Sequence, residues 1–244
     1  MKYLNLSLLA IGLFVSATIS KAQTLDEVIA KYVSAMGGKE NMAKITSVYM
    51  ENTLQVMGQE ASSTSVVLNG KGSKTVSDVM GQKMVQCYTD KSGWMINPMM
   101  GSSEPGDMPA EQYNAGKSSI YTVDPLSGWS ERGYKVELVG KEKVGAVEAF
   151  KIKLVSPENV TAFYYIDPAT YYPVQMTMTV DAGGQSMNMT TNFSDYRKTD
   201  AGIVIPFSTD VDYGGQFNIT LKTKKIEYNK NIDPAIFEKG NMSL

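Results

Sequence analysis

The side chains that usually carry enzyme chemistry are nearly missing from this sequence of 244 residues. It has no histidine. That removes the commonest general base, the Ser-His-Asp triad, the Cys-His pair and the usual zinc ligand sets. The single cysteine, Cys87, lies in Val85-Gln86-Cys87-Tyr88, which reads as a strand. A lone thiol there is a small buried hydrophobe. No phosphate loop, dinucleotide fingerprint or calcium loop is present, and Asp181-Ala182-Gly183-Gly184 lacks the spaced carboxylates that calcium needs. Carboxylate pairs remain as an acid–base option. The candidates are Asp124, Asp167, Asp195, Asp210 and Asp212. Asp167-Pro168-Ala169-Thr170 reads as a turn, and Asp210 and Asp212 alternate onto one solvated strand face. Neither an enzyme nor a cofactor or metal is expected. Sequons such as Asn188-Met189-Thr190 matter only in a glycosylating host.

The positive signal is methionine, of which the chain has 16. Methionine is unbranched and polarisable, so it lines surfaces that accept varied apolar shapes, although it also fills ordinary cores. One group, Met95, Met99, Met100 and Met108, falls around a Gly- and Pro-rich stretch beside Trp94. A second lies in a hairpin that can be read in register. With Gly183-Gly184 as a two-residue turn, Ala182 pairs with Gln185, Val180 with Met187, Met178 with Met189, and Val174 with Phe193. Alternation puts these side chains, with Met176, on one face. Thr177, Thr179, Ser186, Asn188 and Thr190 take the other. The predicted apolar site is therefore Trp94, Met95, Val174, Met176, Met178, Val180, Met187, Met189 and Phe193.

These residues need a scaffold, and the rest of the chain predicts one. Thr24 and Glu27 form a capping box, and Leu25, Val28, Ile29, Tyr32, Val33 and Met36 follow at helical spacing until Gly37-Gly38. Residues 39–45 predict a second short helix. Strands are predicted over 47–56, 62–68, 74–79, 83–89 and 93–97. After a break at 98–109 and a short helix within 110–120, they resume at 134–139, 149–155, 160–166, 172–181, 185–193, 203–212 and 216–228. Short turns between them mean an antiparallel meander in one domain spanning 23–244.

The N-terminus sets the compartment. Lys2, the apolar run Leu8 to Val15, and Ser20-Lys21-Ala22 read as a signal peptide over 1–22, cut after Ala22. Export to the periplasm follows, with no transmembrane segment in the mature chain. Without Lys2 and Lys21, 21 basic residues face 25 acidic ones, a net charge of −4. That charge excludes nucleic acid as a partner.

Several local motifs together resemble one family. They are Ala35-Met36-Gly37-Gly38-Lys39-Glu40, Ser92-Gly93-Trp94, Leu138-Val139-Gly140-Lys141-Glu142, and Tyr164-Tyr165-Ile166-Asp167 with Tyr172-Pro173-Val174. Ser194-Asp195-Tyr196-Arg197, Gly202-Ile203-Val204-Ile205-Pro206, Ile226-Glu227-Tyr228-Asn229 and Ile232-Asp233-Pro234-Ala235-Ile236-Phe237 complete the series. In this order the chain resembles the LolA/LolB-like superfamily, in the form called outer membrane lipoprotein-sorting protein. The resemblance implies an incomplete, half-open antiparallel β-barrel with an N-terminal helix hairpin and short helices over its concave face. It implies a soluble carrier, expected to be a monomer, that holds lipoprotein acyl chains or lipid and meets an envelope protein as donor or acceptor. Leu25, Val28, Ile29 and Tyr32 would then form a lid or plug. The first mature residue is Gln23 rather than cysteine, so the lipidated receptor form is not implied. No residue here could be matched to the cavity arginine of the carrier. An alternative is a non-catalytic envelope module that binds a protein partner through the Trp94–Met108 segment.

Overall fold

The computed structural model describes residues 23–56, 58–182 and 185–244. The predicted signal peptide and the Gly183-Gly184 turn lie outside them. Helix α1 spans Leu25–Ala35. Its start is the expected capping box: the Glu27 amide donates to Thr24 Oγ1 at 3.3 Å, and the Thr24 amide to Glu27 Oε2 at 3.1 Å. Gly37, at φ 116°, ends it, and a Cβ there would sit 2.6 Å from Ile203 Cα. Helix α2 (Lys39–Ala43) follows.

The first strands are β1 (Ser47–Val56), β2 (Gln59–Leu68), β3 (Gly72–Val79), β4 (Gln82–Thr89), β5 (Gly93–Asn97) and β6 (Ser102–Asp107). Helix α3 (Ala110–Gly116) and a short 3-10 turn (Lys117–Ile120) lead to the remaining strands. Those are β7 (Lys135–Val144), β8 (Val147–Val155), β9 (Thr161–Ile166), β10 (Pro173–Ala182), β11 (Gln185–Lys198), β12 (Val204–Tyr213) and β13 (Asn218–Tyr228). Together they make one 13-stranded antiparallel sheet, ordered β6-β5-β4-β3-β2-β1-β13-β12-β11-β10-β9-β8-β7. Two meanders thus meet where β1 pairs with β13, and the sheet stays open, with β6 and β7 at its edges. The expected half-open, mainly β architecture is present.

This order makes the connection after β6 important, because it must travel from one edge of the sheet to the other. It does so on the face that α1 covers, called the inner face below. Val28, Ile29, Tyr32 and Val33 of α1 bury against Phe150, Ile152, Leu154, Tyr164 and Ile166. Leu126 of the connection is fully buried in the same cluster, with Val123 and Trp129 beside it. Arg132 holds the connection in shape: its guanidinium donates to the carbonyls of Val123, Asp124 and Gly128.

The outer face carries a second core. Val66, Val85, Cys87, Trp94 and Ile96 are covered there by Phe237 of the C-terminal segment. Gly72 permits that contact, since a Cβ would fall 2.6 Å from Phe237 Cγ. Lys74 is fully buried beneath the segment and donates to the carbonyls of Ile236, Asn241 and Ser243 at 2.5–3.2 Å. Its ammonium lies 5.7 Å from the Trp94 ring centroid. Burial pushes the Cys87 thiol up to about 12, so the native thiol is protonated and shielded. Two results are expected. Native Cys87 should resist maleimide at neutral pH. Lys74→Ala, which leaves three carbonyls without their donor, should lose about 2–3 kcal/mol and make the thiol reactive. Equal labelling of both proteins would show that the segment does not seal this face.

Two sequence expectations are corrected here. Residues 98–109 are not an irregular loop: they hold a 3-10 turn (Pro98–Met100) and edge strand β6. The hairpin of β7 and β8 is longer than predicted and turns at Gly145, its tip carrying the charged run Lys141 to Lys143.

Candidate functional site

Register shows which side chains share the inner face. Met178 pairs with Met189, Val180 with Met187 and Ala182 with Gln185, as the sequence predicted. Met176 pairs with Thr191 and packs against the α1 cluster. Met178, Met187, Met189 and Phe193 follow on the same alternation and are half-buried, beyond the reach of α1. Val174 is the preceding position on that alternation and is also half-buried. The reverse side is polar and internally bonded, with Gln175 donating to Asn192 at 2.8 Å and Thr179 to Asn188 at 3.0 Å.

The remaining predicted wall residues part company. Met95 pairs with Gln86, which pairs with Thr75, then Ser65, then Met50 of the α1 cluster. Met95 is therefore on the inner face. Trp94 is on the other side, buried under the C-terminal segment, and its indole donates to the Phe237 carbonyl at 2.9 Å. The structure thus removes Trp94 from the methionine wall. It also disperses the patch on which a partner-binding Trp94–Met108 segment was expected. Trp94 and Met108 are both buried, while Met99 is exposed.

The expected lid residues are part of the core: Val28, Ile29 and Tyr32 are at most 7 % exposed, and Leu25 packs against them. The Tyr32 hydroxyl lies beside Asp124 and Ser127. Burial first, and then that carboxylate, hold its pKa well above the ordinary tyrosine value. Tyr164 and Tyr196 are raised for the same two reasons, and burial pushes Tyr88 up to about 12. An unfolded tyrosine ionises near pH 10. Between these values the unfolded chain binds fewer protons than the native one, so stability is intact below about pH 10 and falls as pH rises further. Alkaline titration should show tyrosinate absorbance appearing together with loss of far-UV circular dichroism. Independent ionisation near pH 10 with the fold intact would contradict this packing.

Each carboxylate considered for acid–base work has a structural task. Asp124 accepts from the amide and hydroxyl of Ser127, and Asp167 from the Ala169 amide and the Thr170 hydroxyl. Asp195 pairs with Arg197, Asp210 accepts from Thr220, and Asp212 from the Gly215 amide. Among the described residues, no group of three or more acidic or cysteine side chains is placed to hold a metal ion.

Among the described residues, two clefts stand out. One, of about 430 Å³, runs between α1 and the connection and is lined by Ile29, Ala30, Val33, Lys39 and Trp129. The other, about 360 Å³ and polar, is on the outer face, among Thr53, Glu60, Ser62, Asp78 and Lys224. Neither is lined by the hairpin methionines. Met176, Met178, Met187 and Met189 are half-buried, and α3 packs along β10.

No family model matches the sequence, and the comparison with curated proteins gives no match. Solved structures do share the fold. A LolA superfamily protein from Nitrosomonas europaea superposes with a TM-score of 0.57 at 11% identity, over 86% of this chain and 96% of its own. A DUF1329 family protein from Desulfovibrio piger gives 0.57 at 14% identity, over 87% and 96%. A domain described as an outer membrane lipoprotein-sorting protein, from Vibrio parahaemolyticus, gives 0.52 at 14% identity, over 82% and 94%. The chain therefore has the LolA-like fold over most of its length.

Proposed function

We propose that the protein is an exported carrier that holds acyl chains of a lipid or lipoprotein against the inner face of β10 and β11. The supporting observation is the wall of Met176, Met178, Met187, Met189 and Phe193, on the face that α1 only partly covers. Such a wall takes acyl chains by removing them from water, at about 0.8 kcal/mol per buried CH₂. A long chain therefore gains several kcal/mol, and unloading needs a competing acceptor. Methionine suits a cargo of variable shape, because its side chain re-packs at little cost. Two further points support the carrier reading. The fold is shared with a domain described as lipoprotein-sorting. Lys2, the apolar run to Val15 and Ala22 form an export signal that would place the mature chain in the periplasm. The protein acts by binding and release, with no turnover, and an envelope protein supplies or receives the cargo.

Native mass spectrometry of protein purified gently from a periplasmic extract tests this reading, with organic extraction of whatever is bound. A bound lipid or acylated peptide is the expected result. A protein that is empty, and stays empty after incubation with lipids and lipoproteins, would overturn it.

A further inference from the structure

The inner face is not uniformly apolar. On β1 to β3 a narrow polar band lies between the α1 cluster and a smaller apolar cluster of Leu54, Ala61 and Val79. Val48 and Met50 belong to that cluster, so Asn52 comes next on the same face of β1. Asn52 pairs with Ser63, and Ser63 with Ser77. One pair along the same face, Ser65 lies opposite Thr75. The hydroxyls partly satisfy one another: Ser77 donates to Ser63 at 3.1 Å, and Ser65 and Thr75 share a bond of 3.0 Å. Asn52 does not fit that pattern. It is 5 % exposed, and its Oδ1 has no hydrogen-bond partner. Asn97, at the end of β5, has a second buried Oδ1 without a partner.

A strand face this buried is ordinarily apolar, and an acceptor left unpaired there costs stability. Leucine is nearly isosteric with asparagine and would remove that cost. An acceptor held in this way suits a donor that arrives with a ligand. Register joins the band to the apolar wall: Leu54, next after Asn52 on the inner face, pairs with Leu221, Leu221 with Thr209, and Thr209 with Phe193. Tyr113 of α3 stacks on Tyr88 of β4, with ring centroids 6.5 Å apart, while α3 itself packs along β10.

We propose that the polar band on the inner face of β1 to β3, centred on Asn52 and Ser63, is a headgroup subsite that takes hydrogen-bond donors of an amphiphile whose acyl chain lies on the methionine wall. This inference rests on the carrier reading and sharpens it. The cargo is an acyl compound whose head carries hydroxyl or amide N–H groups. Uncapped hydrocarbon and simple esters are poor cargo.

Three probes with the same oleoyl chain separate the possibilities: monooleoylglycerol, an N-oleoyl dipeptide amide, and methyl oleate. They are titrated into the mature protein and into Asn52→Leu, with thermal unfolding of each empty protein measured in parallel. The wild type should bind at least one donor-bearing probe about tenfold more tightly than methyl oleate. Preference for the glycerol or for the dipeptide tells which source of donors the site takes. Asn52→Leu should lose that preference, keep its affinity for methyl oleate, and unfold at the same temperature or higher. Equal binding of all three probes by the wild type would overturn the subsite and leave the carrier reading standing; this arm needs no variant. A preference that survives in Asn52→Leu, or a variant that is destabilised and weakened toward every probe alike, would also overturn it. Binding of none of the probes would remove the carrier reading and the subsite with it.

Discussion

Tyr32→Ala is expected to cost about 3–5 kcal/mol, the range for truncating a large aromatic side chain inside a packed core. Tyr32 is 1 % exposed, in a cluster where Val28, Leu126, Ile152 and Ile166 have no exposure at all. The truncation leaves a cavity beneath the connection and removes the hydroxyl beside Asp124 and Ser127. Urea unfolding should show a lower midpoint with an unchanged slope. Tyr32→Phe keeps the ring and should cost only about 1 kcal/mol. The result bears on mechanism. A helix buried to this depth completes the core of β7 to β9. Lifting it would expose most of that core, so cargo exchange is expected on the part of the inner face that it leaves open. A Tyr32→Ala protein with unchanged stability and tighter cargo binding would instead make α1 a lid.

How much of this could be read from the sequence depended on the range of the information needed. Local signals served well. The Thr24–Glu27 box, the Leu25–Met36 spacing and the Gly-Gly-centred register of β10 and β11 each depend on residues close together, and each appears as expected. Strand β6 was not legible, because Ser102-Ser103-Glu104-Pro105-Gly106-Asp107 has no apolar alternation; it forms at a sheet edge, where proline is tolerated. Trp94 shows the other limit. Alternation separates it from Met95, but the choice of face rests on Cys87, Lys74 and Val66, from three other strands, and on a C-terminal segment about 140 residues away. The role of Asn52 was hidden for the same reason. An asparagine in a strand is unremarkable until its partner proves to be Ser63, and Ser63's partner Ser77.

Replacing Met178 and Met189 together by aspartate is expected to abolish acyl-chain binding while the sheet survives. The two side chains are direct cross-strand partners and both are half-buried. Without cargo, the new carboxylates can turn to water, and their mutual repulsion costs only about 1 kcal/mol or less. With an acyl chain on the wall they would have to be desolvated without a partner, which costs several kcal/mol. That difference corresponds to at least about a hundredfold loss of affinity. The matched control is Thr177→Asp with Thr190→Asp, an adjacent cross-strand pair on the opposite face. It adds the same charge to the same hairpin and should leave binding unchanged. If both double variants weaken binding alike, the effect is one of net charge or hairpin stability, and the site lies elsewhere. If neither weakens it, the methionine wall does not hold the chain. Loss in the first variant alone would place the cargo on the inner face, since the two variants differ in which side of the sheet receives the charge.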